Sequence, residues 1–512
     1  MTAKASTTKA ATVSGVFSIK PRKWCWSAAI AFAAFLGSKL PAQAANFNFT
    51  YAPGTSLEQM LGFEMAGMYW ANYLADDVTI NLFIETTDLL PENVIGGALP
   101  GLEAGYKVKR FYKKKEYLAN DITSHDDQIA FEHIQTKNGR GFYALLNKRN
   151  PTREKVKSIR KINVTRANAK ALGMLDGDDP GLDGYILMRN LTDMPVGWNY
   201  DILDADVPDD SLDFFSVALH EVGHTLGFVS GLDNPTWPGV AQENDPTQKE
   251  IKQQDTKYAT LLDIFRLSDK SVSNYGGVPD LTISGGNRFF SIDGCATNLA
   301  DFATGEAVTL GADGYQASHW RQQDNPLGIM NPTLKTGQRR TISDLDKLAL
   351  DVIGWDLSPS TTIDLAGLNT LAKEQLAQKM GVTLEWMDAN PTAAALLLAP
   401  DWLNTDDGEF DQRSELLQDM ITSSKVYEWG WSGYWWGWSG YWQATDALTQ
   451  DGFWQNIFWQ TVDMPITDAQ MQQIQTTAAP VPEPTSVVGL LGLSWLGIGS
   501  WRRRRGDRRN ED

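Results

Sequence analysis

Two of the chain's five histidines stand four residues apart in His220-Glu221-Val222-Gly223-His224. Four residues is just over one helical turn, so on a helix both imidazoles leave one face and can reach the same ion. Glu221, on the neighbouring angle, is too far round to be a ligand but can hydrogen-bond a water on that ion. This set points to zinc: the metal draws the pKa of its water towards neutrality, and Glu221 takes the proton as general base. A catalytic zinc has three protein ligands and an open water position, so another ligand must come from elsewhere in the chain.

The helix that must carry the pair is legible. Leu212, Phe215, Leu219, Val222 and Leu226 form its buried stripe, Ser211 or Asp213 can cap its start, and Gly227 can stop it. The resulting HExxHxxG pattern resembles the metzincin metalloproteases, in which the glycine lets the chain turn sharply beneath the metal. The usual metzincin has a histidine three residues after that glycine, where this chain has Ser230. His319 lies 92 residues after Gly227, and 11 residues further on Met330, in Gly328-Ile329-Met330-Asn331-Pro332, looks like the Met-turn that floors a metzincin site. This order is similar to the leishmanolysin-type metzincins and spans about residues 200–357. The resemblance implies zinc on His220, His224 and His319, Glu221 as base, and Gly227 and Met330 as structural residues near the site. A helix over Ser343 to Ile353, with Leu345, Leu348 and Val352 on one face, matches the helix that follows the Met-turn.

Two rivals stand beside this reading. A gluzincin-like protease would use a downstream glutamate, Glu243 or Glu250, as third ligand. A surface- or matrix-binding protein would instead work through its C-terminal region. His125 and His133 lie in charged, unpatterned surroundings and read as surface or structural, and Cys295 reads as an inert thiol.

Upstream, Leu57, Met60, Leu61, Met65, Met68 and Tyr69 fall at helical spacing within residues 54–74, and Val78 to Ile84 alternates as a strand. Gly184 to Leu191 is a second strand and the candidate edge along which a substrate would lie. Asp176 to Asp183 is read as a turn, because Pro180 and Leu187 occupy positions where a calcium loop needs ligands. The expected fold class is α+β: a metzincin-like catalytic domain with a mixed sheet, an active-site helix and a C-terminal helix, then a mostly helical, acidic, Trp-rich region.

The ends read as addresses. Residues 1–23 carry four Lys and one Arg without an acid, Trp24 to Leu36 is apolar, and Ala42-Gln43-Ala44 is a small-residue cleavage site: a secretory signal peptide over residues 1–44. At the other end Pro482-Glu483-Pro484, an apolar stretch from Thr485 to Trp501 and Arg502 to Arg505 follow in order. This tail, residues 481–512, resembles the PEP-CTERM sorting signal of Gram-negative bacteria. The resemblance implies processing by an exosortase-type enzyme and arrival at the envelope surface or outside the cell; a permanent transmembrane anchor is the alternative. Between the ends, 45–357 is the expected catalytic domain, and Ser358 to Thr362 is a linker into the acidic region 358–480. That region holds an immediate heptapeptide repeat, Trp429 to Trp435 and Trp436 to Trp442, whose aromatics suit a polysaccharide or an envelope surface.

Without residues 1–44 and 485–512 the chain keeps 33 basic against 60 acidic residues, a net charge of -27 that disfavours nucleic acid as a partner. The one basic stretch, residues 106–170 with 17 Lys/Arg against 6 Asp/Glu, is expected to dock on acidic parts of the same chain or to stay solvated. Cys295 is the only thiol left in the mature chain, so no intramolecular disulfide can form. The sequence thus reads as an exported zinc-dependent endopeptidase acting on a protein or peptide substrate.

Overall fold

The computed structural model describes residues 45–398 apart from short internal stretches, the longest being 238–255, together with the backbone of residues 458–462. The expected signal peptide, Glu243, Glu250, the Trp repeat and the sorting tail lie outside the described residues. Among the described residues no helix is long and apolar enough to cross a membrane.

The central element is a mixed six-stranded sheet. Its strands are β1 (Asn46–Tyr51), β2 (Thr79–Thr87), β3 (Val94–Pro100), β4 (Gly184–Arg189), β5 (Thr333–Leu334) and β6 (Phe458–Val462), in the spatial order β1-β2-β4-β3-β6-β5. β1, β2 and β4 run parallel, whereas β3 is antiparallel to β4 on one side and to β6 on the other. Every residue of β3 and β4 is buried, which is why both read as apolar runs instead of alternating. This placement corrects one expectation. The strand from Gly184 is no edge, because it lies between β2 and β3, and the antiparallel strand at the site is β3.

The expected first helix is α1 (Leu57–Ala71), fixed at its start by a capping box in which the Ser56 and Gln59 side chains bond each other's backbone N–H. It is buried nearly all round because it packs on β1 and on α2 (Phe214–Leu226), and is covered in turn by α4 (Leu365–Met380). Lys379 of α4 reaches back to Glu64 of α1 at 2.5 Å. The start of the acidic region is therefore helical, as expected, and continues through helices Leu384–Ala389 and Pro391–Leu398. At the linker, Ser358 N–H donates to the Tyr73 carbonyl at 2.8 Å, which ties the chain to the end of α1.

The aspartate-rich segment is the turn that Pro180 and its glycines suggest. Asp183 is fully buried, accepting from Asn81 N–H at 2.8 Å and pairing with Lys170 at 2.6 Å, while Arg166 joins Glu103 at 3.0 Å and also Asp179. Two cations of the basic stretch thus serve as internal counter-ions. The long insertion after α2 contains a small antiparallel sheet of Arg266–Leu267, Arg288–Phe290 and Ala300–Phe302. It delivers the chain to His319, and α3 (Asp344–Asp351) follows, with Ser343 as its N-cap.

Candidate metal centre

α2 begins at Asp213, whose carboxylate accepts from Ser216 N–H at 3.0 Å and is held by Arg339 at 2.7 Å. Of the two expected caps Asp213 is the one used. The helix ends at Gly227, whose φ of 126° is closed to side-chain-bearing residues and whose N–H caps the Gly223 and His224 carbonyls. All thirteen residues of α2 are buried, so its two histidines face protein on every side.

His220, His224 and His319 come together. The His220 Nε2 lies 3.1 Å from His224 Nε2 and 3.2 Å from His319 Nε2, and all three rings are at most 1% exposed. Each Nδ1 faces a backbone carbonyl: His220 that of Ile329 at 2.7 Å, His224 that of Phe228 at 2.8 Å, His319 that of Gln316 at 3.1 Å. A carbonyl only accepts, so each Nδ1 carries the hydrogen and each Nε2 presents a lone pair. Burial, reinforced by the neighbouring imidazoles, holds His220 and His224 well below the usual histidine range, and burial brings His319 down to about 4. Three neutral rings aiming lone pairs at one another repel unless a cation lies between them. A tetrahedral zinc with bonds of about 2.05 Å places its nitrogens about 3.3 Å apart, close to the observed spacing. The three residues form a group able to hold a metal ion, and among the described residues they are the only such group of His, Cys, Asp or Glu.

His319 is positioned by its neighbours. Asp233 accepts from the N–H groups of Ala317 at 2.6 Å and Ser318 at 2.9 Å, and the Ser318 hydroxyl accepts from Ser230 N–H at 2.8 Å. Ser230, standing where the common pattern has histidine, thus braces the turn that brings in the distant one. It also donates its hydroxyl to Asp263 at 2.6 Å.

Met330 lies beneath α2: a Cβ placed on Gly223 would stand 2.5 Å from its sulfur. The loop carrying Met330 hangs on the fully buried carboxylate of Asp346, in the first turn of α3. That carboxylate accepts from Trp320 Nε1 at 2.7 Å, Ile329 N–H at 2.8 Å, Met330 N–H at 3.3 Å, and Ser343 N–H and hydroxyl at 2.8 Å. Glu221 is fully buried on the β3 side of α2, where a Cβ on Gly96 would lie 2.7 Å from Glu221 Oε1. Sequence reasoning missed Asp233, Asp346 and Gly96. Only the last had a legible signal, a glycine inside an apolar strand, which often marks close approach by another group.

The remaining candidates fall elsewhere. His133 bonds the Ile129 carbonyl of its own helix, His125 begins that helix, and neither joins the cluster. Burial raises the Cys295 thiol to about 11, which suits an inert residue.

Residues 480–505 match the PEP-CTERM protein-sorting motif. The motif implies handling by an exosortase-type system and supports an exported, surface-associated protein. No curated protein and no solved structure matches the chain.

Proposed function

We propose that the chain is an exported zinc endopeptidase with a metzincin-like site, His220, His224 and His319 holding the metal and Glu221 acting as general base. The observation that carries this reading is the convergence of three Nε2 lone pairs, each ring locked through Nδ1, beside a buried glutamate on the same helix. When bound, zinc supplies an acidified water and a Lewis acid for a carbonyl oxygen. Glu221 accepts the proton of that water on its carboxylate and returns it to the leaving amine nitrogen. Gly96, lacking a side chain, leaves the carboxylate room to do so. Met330 and Gly227 shape the floor: one packs against Gly223, and the other turns the chain out of α2.

The third histidine favours this reading over a glutamate-ligated site, since His319 already stands at ligand spacing from His220. Glu221→Gln tests the assignment. The variant should keep its metal and lose cleavage of casein and of short quenched peptides, because the amide cannot take a proton. Cleavage near the wild-type rate would remove Glu221 from the mechanism.

A further inference from the structure

β3 carries Gly96, which abuts the Glu221 carboxylate, and the chain's own C-terminal region occupies the edge of β3 that faces away from β4. β6 pairs antiparallel with β3, Phe458 opposite Ala98, Trp459 opposite Gly97 and Gln460 opposite Gly96, with a register shift before Thr461 meets Val94. Gly96, opposite Gln460, is the residue whose Cα side abuts the Glu221 carboxylate. On its other side β6 runs parallel to β5, Thr461 opposite Thr333 and Val462 opposite Leu334, only three residues beyond Met330. β6 also lies along α2. A single extended segment therefore fills the slot between β3, which abuts Glu221, and β5, which follows Met330.

An exposed sheet edge recruits an extended peptide through main-chain hydrogen bonds, whatever the side chains. The slot between β3 and β5 is such an edge on both walls once β6 is out of it. The occupant belongs to the same chain: 59 residues, 399–457, lie between it and the helix Pro391–Leu398. Carried on the same chain, the strand docks in an intramolecular event and competes with free peptides at an effective concentration that the connection sets.

We propose that Phe458–Val462 is an intramolecular occupant of an extended-peptide docking edge, and that a peptide substrate reaches Glu221 only when this strand leaves. The docking half stands on the strand pairing alone. The latency half rests on the peptidase reading above.

The test uses the full exported chain with Trp459→Pro and Thr461→Pro together, which removes two backbone donors from β6 and clashes with pairing. A Trp459→Ala, Thr461→Ala chain keeps the backbone donors and serves as control. A labelled synthetic peptide of residues 454–466 should bind the proline variant at least 10-fold more tightly than the wild type or the alanine control, read by fluorescence anisotropy. The kcat/KM for a quenched peptide should rise by at least 10-fold in the same variant. Should the proline variant fold poorly, a specific protease site placed within residues 443–450 and cut after folding replaces it, and activity should then rise on dilution as β6 dissociates. Unchanged peptide binding in the proline variant and in the cut chain would overturn the proposal and leave β6 as a structural strand. Enhanced binding with no cleavage by any form would keep the docking edge and remove the peptidase reading. Enhanced binding with cleavage at the wild-type rate would overturn the latency.

Discussion

Asp346→Asn separates the support of the metal centre from its ligands. The carboxylate is fully buried and takes two donors on Oδ1, from Trp320 and Met330, and three on Oδ2, from Ile329 and both polar groups of Ser343. An asparagine is the same shape but keeps one acceptor oxygen. In one orientation its amino group faces the Ile329 and Ser343 donors, and in the other it faces Trp320 and Met330. At least two buried donors lose their partner either way, at about 1–3 kcal/mol each, and the long Met330 contact sets the lower end. A total of about 2–4 kcal/mol leaves a domain with about 5–15 kcal/mol of stability folded. The consequence for the metal runs through Ile329, because the same residue whose N–H bonds Asp346 offers its carbonyl to His220 Nδ1. Losing such outer support weakens zinc binding by about 10–100-fold. The assay pairs thermal unfolding of the metal-free protein with titration of the zinc form against a competing chelator. Both the unfolding midpoint and the zinc affinity should fall. Wild-type values for both would refute the idea that Asp346 holds the Met330 loop and, through it, His220.

Gly96→Ala should keep zinc but lower kcat by about 100-fold, since its Cβ would meet Glu221 Oε1 and Val217 at 2.7 Å and displace the carboxylate; unchanged kcat or lost zinc would contradict this. Stability should also depend on a carboxyl cluster at the junction of α1, the 121–127 segment and α3. Burial first, then mutual repulsion, raises Asp121 to about 8 and Asp351 to about 7, and burial raises Asp76 to about 7. The folded state therefore holds protons that the unfolded chain has released above about pH 4, so stability falls as pH climbs from about 4 to about 8. Asp121→Asn should flatten that decline in denaturant melts at pH 5 and pH 8, and parallel slopes for variant and wild type would count against it. Intact-mass analysis from a host with an exosortase-type enzyme should show a product lacking Arg502 to Arg505, and a retained tail would favour the permanent anchor.

The centre was legible where its residues obey a local period. His220, Glu221, His224 and the Gly227 stop follow from one helical turn and one chain reversal, and α1, the strand from Thr79 and α3 follow from apolar spacing and caps. The convergence of His319 with that pair could be reached only through resemblance, because 92 residues of insertion carry no periodic signal linking it to α2. The order of strands is set by long-range pairing. For that reason β4, an apolar run that could belong at an edge or in the middle, was misplaced at the edge. Asp233 and Asp346 look like ordinary turn and capping residues in sequence; only tertiary structure turns their carboxylates towards the His319 and Met330 segments. β6 was invisible for the same reason, since five residues of a Trp-rich region acquire meaning only from the strand they join.

Metal content measured on purified wild-type protein and on His319→Ala addresses the central claim most directly. Three neutral imidazoles at ligand spacing should bring about one zinc per wild-type chain, and loss of one of three protein ligands should remove nearly all of it from the variant under the same dialysis. A wild-type chain without zinc, or a His319→Ala chain that retains its full complement, would contradict the assignment of this cluster as the metal centre.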